Sequence, residues 1–252
     1  MSVDGLKGRV VLVTGSGRGL GAALARAVGA EKARVVVNCL QDLKSAEAVA
    51  GAVRKAGGDA IAFRADVTDL GQARTLVDHT LKAWGGIDVL VNTVGSMNWN
   101  SLKDLEPAEW RRVMTSNLDS VYNLCRLVLP GMREKRFGRV VNFAAVGAGF
   151  TVGEPQMAAY AAAKAGVVAL SKSLALEEAR CGITVNVVSP GLLQDDTGNQ
   201  DARAADTMLG DRVPVGHAGC AADVVRAVLF FTSPAAGFVT GQVLEVAGGA
   251  RL

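Results

Sequence analysis

Short apolar runs alternate along the chain with longer stretches in which apolar positions recur every three or four residues. Such runs are typical of strands buried on both faces of a sheet, and the longer stretches are typical of helices that cover the sheet. The alternation predicts right-handed βαβ units, and therefore an α/β fold built on a doubly wound parallel sheet of about seven strands. The predicted strands are Arg9–Thr14, Arg34–Cys39, Ala60–Ala65, Asp88–Asn92, Gly138–Ala144, Ile183–Val188 and Gln242–Val246. The predicted helices are a first one that ends near Ala30, then Asp42–Ala56, Asp69–Trp84, Pro107–Glu134, one that contains Tyr160 and ends near Arg180, and Ala221–Thr232.

A glycine-rich turn follows the first predicted strand directly and opens the first helix. In this context glycines let the backbone approach a pyrophosphate at a helix N-terminus. The arrangement of strand, turn and helix therefore predicts a dinucleotide site on a Rossmann-type sheet. The turn reads Gly15-Ser16-Gly17-Arg18-Gly19-Leu20-Gly21.

Tyr160 and Lys164 are four residues apart near the start of a predicted helix, so their side chains share one helix face. A nearby ammonium favours the phenolate and lowers a tyrosine pKa from its ordinary value of about 10. Tyr160 is therefore a candidate proton donor and acceptor. The spacing by itself also suits an ordinary pair on the surface of a helix.

The 252 residues are interpreted as a single α/β domain, residues 1–252. One stretch rich in glycine, aspartate and asparagine, Gly191–Gly210, interrupts the alternation of strands and helices. We interpret residues 191–213 as a candidate lid over the substrate, and a plain surface loop is the alternative.

Composition excludes several classes of function. Apolar runs are too short to cross a bilayer and no signal-like segment begins the chain, so we expect a soluble, cytoplasmic protein that binds no membrane. Four scattered cysteines and two histidines predict reduced thiols and no metal site. The net charge of +3, without a basic run, gives no reason to expect nucleic acid as a partner.

In combination these residues resemble the short-chain dehydrogenases/reductases, within that family the 3-oxoacyl-acyl carrier protein reductase-like branch, over essentially the whole chain. The run from Thr14 to Gly21 is similar to the family's T-G-x-x-x-G-x-G motif, and Asn92-Thr93-Val94-Gly95 stands where N-N-A-G is usual. The resemblance implies Tyr160, Lys164 and Asn117 as catalytic residues. The cofactor-binding residues that it implies are Gly15, Ser16, Arg18, Gly19, Leu20, Gly21, Asn38, Cys39, Asp66, Val67, Asn92, Gly95, Tyr160, Lys164, Pro190, Gly191 and Leu193.

The resemblance also implies a mechanism. Hydride passes between nicotinamide C4 and a carbonyl carbon while Tyr160 exchanges a proton with the carbonyl oxygen, and Lys164 lowers the tyrosine pKa and holds the nicotinamide ribose. Asn117 would hold a water in the proton path, although a locally bonded helix asparagine is the alternative. The expected substrate is a small carbonyl compound or secondary alcohol, acyl-carrier-linked ones included. Family members form tetramers through long helices and the C-terminal segment, so we expect a homotetramer with a dimer as the fallback.

One departure from the family affects the chemistry. The family has a catalytic serine just after the fifth strand, where this chain has Ala145, and a methyl group donates no hydrogen bond. Thr151 is the first candidate for a substitute donor, ahead of Asn142 and Ser96, and each of them is also explained as a group bonded to backbone. A further departure is Asp195, which stands where the family commonly has a threonine that bonds the cofactor, with Thr197 two residues on.

Two features predict NADP(H) rather than NAD(H). An acid at the end of the second strand would accept hydrogen bonds from the adenosine ribose and repel a 2′-phosphate, but this chain has Asn38-Cys39-Leu40 there and no acid until Asp42. Arg18 stands in the glycine turn, where a 2′-phosphate would be its partner, and a solvated arginine is the alternative.

Two classes of function are compatible with these residues. The first is an NADP-dependent oxidoreductase that acts on a carbonyl or a secondary alcohol, and Tyr160, Lys164 and Asn117 favour it. The second is a cofactor-binding partner subunit, or an enzyme with a non-redox step such as elimination, and Ala145 favours that class.

Overall fold

The computed structural model describes residues 5–151, 153–193 and 213–250. Within these residues seven strands form one sheet in the order β3-β2-β1-β4-β5-β6-β7, and every neighbouring pair is parallel. The predicted doubly wound parallel sheet is therefore confirmed. The strands are β1 (Val10–Val13), β2 (Arg34–Cys39), β3 (Asp59–Arg64), β4 (Val89–Asn92), β5 (Gly138–Phe143), β6 (Ile183–Pro190) and β7 (Val243–Val246).

Helices cover both faces of the sheet. They are α1 (Gly19–Ala30), α2 (Leu43–Lys55), α3 (Leu70–Trp84), α4 (Pro107–Met114), α5 (Ser120–Lys135), α6 (Ala158–Glu178) and α7 (Ala221–Thr232). Side chains of α1, α2 and α7 share one core with the sheet, and side chains of α3, α5 and α6 share a second. The second core is the one beneath the helix that carries Tyr160.

The central strands are buried on both sides because both faces of the sheet are covered. In β1, Val11 and Val13 belong to one core and Val10 and Leu12 to the other, and none of the four is more than 2% exposed. This explains why the strands appear in the sequence as continuous apolar runs instead of alternating patterns.

Two aspartates mark where α2 and α3 begin. The Asp42 carboxylate accepts a hydrogen bond from Ser45 N at 2.9 Å, and the Asp69 carboxylate accepts one from Gln72 N at 2.8 Å. Each is an N-cap that satisfies an amide left free in the first helical turn. The predicted helices began at these two residues, one position before the helices themselves.

The predicted single helix Pro107–Glu134 is divided in the structure. A π-helical turn, Thr115–Asp119, separates α4 from α5. Asn117 lies inside this turn, and its Nδ2 donates to the carbonyl of Val113 at 2.9 Å and to that of Ser96 at 2.8 Å. An amide that bonds the carbonyl four residues back competes with the regular helix ladder, which explains the break that periodicity did not predict.

None of the helices in the described part of the chain is both long enough and apolar enough to cross a membrane.

Candidate active site

A cleft of about 730 Å³ opens at the carboxyl edge of the sheet. It lies where β1 has β2 on one side and β4 on the other, the point at which the strand order reverses. Ligands of doubly wound sheets bind at such points. The described lining comprises Gly15, Gly17, Arg18, Gly19, Leu20, Gly21, Cys39, Leu40, Gln41, Asp42, Ser45, Thr93, Val94, Gly95, Met97, Asn117, Phe143, Ala144, Tyr160, Lys164, Pro190 and Gly191.

The glycine turn forms the floor of the cleft between β1 and α1. Gly15 and Gly19 have φ angles of 57° and 54°, which glycine adopts without the steric cost that a side chain would add. A Cβ on Gly21 would lie 2.6 Å from the Gly15 carbonyl oxygen, so this position admits no side chain. The turn therefore needs glycine at these three positions, as expected of a cradle for a pyrophosphate.

Ser16 and Asn38 hold that turn from beneath and do not line the cleft themselves. The Ser16 hydroxyl donates to the Val13 carbonyl at 2.6 Å and accepts from Asn38 N at 3.1 Å. The Asn38 side-chain oxygen accepts from Gly15 N at 3.1 Å. Both residues were predicted as cofactor contacts, and the structure places them as supports of the glycine turn.

The adenosine end of the cleft lies between the glycine turn and the start of α2. Arg18 is exposed on one side, and Cys39, Gln41, Asp42 and Ser45 form the other. Within residues 5–151, 153–193 and 213–250, Arg18 makes no ion pair. Its guanidinium is therefore available to an anion that enters this end.

At the opposite end, Lys164 is 95% buried although it carries an amine. Its Nζ donates to the Phe143 carbonyl at 2.9 Å and lies 5.6 Å from the centre of the Tyr160 ring. Burial lowers the pKa of Lys164 to about 8 and raises the pKa of Tyr160 above its ordinary value. In the protein without ligand the pKa of Tyr160 is therefore raised and not lowered as predicted, because burial disfavours the phenolate.

Asn117 is fully buried and turns one end of its amide toward Lys164. Its Nδ2 is bonded within the protein, whereas its Oδ1 has no partner among the described residues. A Cβ on Gly95 would lie 2.5 Å from this Oδ1 and 3.4 Å from Lys164 Nζ. Asn117 Oδ1 and Lys164 Nζ thus border the same small gap. Any side chain at position 95 would fill this gap, so glycine is needed there. If Asn117 were only a locally bonded helix asparagine, the hydrogen bonds of its Nδ2 would be explained. The buried Oδ1 without a described partner would not be.

Ala145 is the second residue after β5, next to Ala144, which lines the cleft. The three predicted substitute donors are all engaged elsewhere. Thr151 is exposed and its hydroxyl donates to the Phe150 carbonyl at 2.7 Å. Asn142 Nδ2 donates to Ser171 Oγ at 2.9 Å, and Ser96 Oγ pairs with Ser116 Oγ at 2.6 Å. None of the three lines the cleft.

Four other predicted cofactor residues also lie outside the described lining. An Asp66 carboxylate oxygen accepts from Thr68 N at 2.9 Å, and Val67 is buried beside it. Asn92 Nδ2 donates to Asn142 Oδ1 at 2.8 Å, and Leu193 forms an isolated bridge with Gly219. Most of the candidate lid, with Asp195 and Thr197, falls outside the described residues.

Several lining residues were missed by the sequence analysis. Thr93 supports the cleft wall, since its amide donates to Thr14 Oγ1 at 3.0 Å. Asp42 and Ser45 line the adenosine end, whereas the sequence analysis named Asp42 only as the start of a helix and as the first acid after the second strand. The helix start predicted at Asp42, shortly after the second strand, could have placed both residues at the sheet edge.

Several known proteins are similar to this chain over nearly its whole length. A family model described as enoyl-(acyl carrier protein) reductase matches residues 15–251. A 3-oxoacyl-[acyl-carrier-protein] reductase of Haemophilus influenzae is 40% identical over 98% of this chain and 100% of its own length. A 3beta-hydroxysteroid dehydrogenase of Eggerthella lenta is 38% identical over 99% of this chain and 96% of its own length.

Solved structures give the same result for the fold. A Sinorhizobium meliloti structure described as a short-chain alcohol dehydrogenase superposes with a TM-score of 0.89 at 26% identity, covering 98% of both chains. The chain belongs to the short-chain dehydrogenase/reductase family. Membership of this family implies an oxidoreductase that uses NAD(P) and acts on CH–OH groups or the corresponding carbonyls.

Proposed function

We propose that this protein is an NADP(H)-dependent oxidoreductase that interconverts a ketone and a secondary alcohol at the cleft described above. The observation that carries the proposal is the meeting of Tyr160, Lys164 and the free Asn117 oxygen at one end of a glycine-floored cleft. The cofactor supplies or accepts the hydride when it is bound.

The residues of the cleft fit such a cofactor. The turn around Gly15, Gly19 and Gly21 would hold the pyrophosphate, because side chains are excluded where the phosphates approach. Arg18 would hold the 2′-phosphate of the adenosine, and Pro190 and Gly191 would border the nicotinamide.

Tyr160 donates the proton to the carbonyl oxygen in the reductive direction, and its raised pKa keeps the phenol protonated near neutral pH. Lys164 would hold positive charge beside the reacting oxygen and would bind the nicotinamide ribose of the cofactor. The Oδ1 of Asn117 accepts a hydrogen bond in the gap it shares with Lys164, as a water in the proton path requires.

Because Ala145 stands where the family has a serine, the site lacks one hydrogen-bond donor to the carbonyl oxygen. Losing one preorganised donor to a developing oxyanion costs about 3 kcal/mol, a factor of roughly 100 or more in rate. We therefore expect slow reduction by the natural chain, because Tyr160 acts without a second donor from Thr151, Asn142 or Ser96.

The substrate that fits best has an apolar body beside its carbonyl. Met97 lines the cleft, and Trp99, which also follows β4, and Phe150, which lies after β5, are further large apolar side chains that are exposed to solvent. Two relatives are named for a 3-oxoacyl substrate and for a steroid, and both substrates have such a body. A 3-oxoacyl thioester, acyl-carrier-linked forms included, is our first choice.

The test is the rate of NADPH oxidation with an activated ketone. Ala145→Ser should raise kcat by about 100-fold because it restores the donor, and Tyr160→Phe should abolish activity in both backgrounds because it removes the proton source. Thr151→Val is the matched control, and we expect no change because its hydroxyl is bonded outside the cleft.

A second function is favoured by Ala145 itself: a cofactor-binding partner subunit, or an enzyme with a non-redox step such as elimination. Normal NADPH binding with no oxidation by any ketone, in both the natural chain and Ala145→Ser, would support this function. The same result would contradict the proposed oxidoreductase function, because Ala145→Ser would then have both the serine and the Tyr160 donors and still be inactive.

A further inference from the structure

The start of α2 forms one wall of the cleft where the adenosine would lie, and Asp42 occupies the helix-capping position there. Its carboxylate accepts from Ser45 N at 2.9 Å and also from the Ser45 hydroxyl. These bonds lower the pKa of Asp42, so the carboxylate is charged at neutral pH. The backbone N–H and the hydroxyl of Ser45 are the two donors at this wall of the cleft. Both are already hydrogen-bonded to the negatively charged Asp42 carboxylate.

The opposite wall is the glycine turn, and it lies close to the same helix start. A Cβ on Gly17 would be 3.5 Å from both the Ala46 amide nitrogen and the Cys39 Cβ. Arg18 follows Gly17 and lines the cleft together with Asp42. A free cation and a capped carboxylate thus share the adenosine end of the cleft without forming an ion pair.

We propose that Asp42 is a specificity-determining residue that limits the preference for NADP(H). An adenosine 2′-phosphate at this end would be attracted by Arg18, but it would find the Ser45 donors occupied and a carboxylate beside them. NAD(H) carries a neutral hydroxyl at that position, so it is neither attracted by the Arg18 charge nor repelled by the Asp42 charge. This inference rests on the proposed function, since it concerns the same cofactor cleft.

The expected size of the effect follows from the exposure of both groups. Charges a few ångströms apart near a protein surface interact weakly because water screens them, so one carboxylate changes the affinity for a dianionic phosphate by about tenfold. The ratio of the NADPH affinity to the NADH affinity is therefore smaller than it would be if Arg18 were present without Asp42.

The variant that isolates this effect is Asp42→Asn. Asparagine keeps an oxygen that accepts from Ser45 N, so the helix start is preserved while the charge is removed. Asp69 is the matched control, because it caps α3 through Gln72 N in the same way and does not line the cleft. Asp42→Ser, also a good cap, serves as the second variant if the asparagine protein folds poorly.

The experiment measures dissociation constants of NADPH and NADH by fluorescence titration for the natural chain and for these variants. Asp42→Asn should tighten NADPH binding by about tenfold and leave NADH within about twofold, and the gain should shrink in high salt because the repulsion is screened. Asp69→Asn should change neither constant. Arg18→Ala should weaken NADPH alone.

Two results would overturn the proposal: an unchanged NADPH constant in Asp42→Asn and Asp42→Ser, or a loss of NADH affinity, which would make Asp42 a ligand of the ribose instead. Failure of the natural chain to bind both cofactors is a different result, because it removes the proposed function itself. Binding with an unaltered ratio in the Asp42 variants removes only the role of Asp42.

Discussion

Lys164 is the residue at which stability and function oppose each other most directly. An amine that is 95% buried and has one carbonyl as its described partner is expensive to keep charged, and its pKa of about 8 reflects this. The proposed chemistry requires the ammonium form. The site therefore holds a group whose useful form is the one that burial disfavours.

We predict that the reductive kcat/KM falls as pH rises through about 8, because Lys164 then loses its proton. Tyr160 has a raised pKa and stays protonated over this range, so its ionisation does not cause the loss. A pH profile of NADPH oxidation between pH 6 and pH 10 checks this. A flat profile through pH 8 would contradict it.

Stability should respond to the same titration in the opposite direction. The folded pKa of about 8 lies below the ordinary 10.5, so the unfolded chain binds more protons between these two values. The contribution of Lys164 to the free energy of unfolding should therefore rise with pH across that window by roughly 3 kcal/mol and stay constant below it. Urea unfolding of the natural chain and of Lys164→Met at pH 7 and pH 10 isolates this contribution as a difference.

At the scale of elements, the segment after β4 and the π-helical turn between α4 and α5 act together. The Ser96 carbonyl accepts from Asn117 Nδ2, and this bond ties the segment to the turn. Gly95 lies where the two meet and leaves room for Asn117 Oδ1 and Lys164 Nζ. The geometry of the proposed proton path therefore depends on one position without a side chain.

Gly95→Ala tests this dependence. Its Cβ would lie 2.5 Å from Asn117 Oδ1, so one of the two must move, and we expect the rate of NADPH oxidation to fall by about 100-fold, as displacements near 1 Å do. Gly51→Ala is the control, because nothing lies within 4 Å of a Cβ at that position in α2. Gly51→Ala should keep full activity and raise the free energy of unfolding by about 0.5–1 kcal/mol. Equal activities in the two variants would contradict the importance of the gap.

At the scale of the whole molecule, several large apolar side chains remain exposed near the β7 edge of the sheet. Phe238 is completely exposed, Leu176 on α6 is 84% exposed, and Phe230 and Leu244 are 51% and 40% exposed. Since β7 pairs with β6 and ends the strand order, its other edge has no described partner. Exposed apolar groups beside an open sheet edge are typical of an interface between copies of a chain.

We therefore predict a homotetramer, with four times the 26.0 kDa mass of the chain by light scattering, and a dimer as the fallback. Phe238→Asp should shift the mass toward smaller species, because it places a charge in the expected contact. Leu81→Asp serves as the control, since Leu81 lies on α3, is 41% exposed and lies outside the expected contact. A monomer at micromolar concentration would contradict the prediction.

The sequence by itself determined the sheet, its seven strands and the position of the glycine turn. Strands buried on both faces must be apolar throughout, and the turn at β1 must lack side chains, so both features are visible in local composition. The pairing of Tyr160 with Lys164 was also predicted, since helix geometry alone places residues four apart on one face.

Only the tertiary structure decided which groups are buried, bonded or free at the site. Burial of Lys164 and Tyr160 depends on every element packed around them, and it reverses the pKa change expected from their attraction. Asn117 in the π-helical turn is also bonded to a segment 21 residues earlier in the chain. Asp42 faces the cleft because β2 and α2 meet there, although it lies three residues beyond the strand. These properties arise from contacts between distant parts of the chain, which local patterns do not encode.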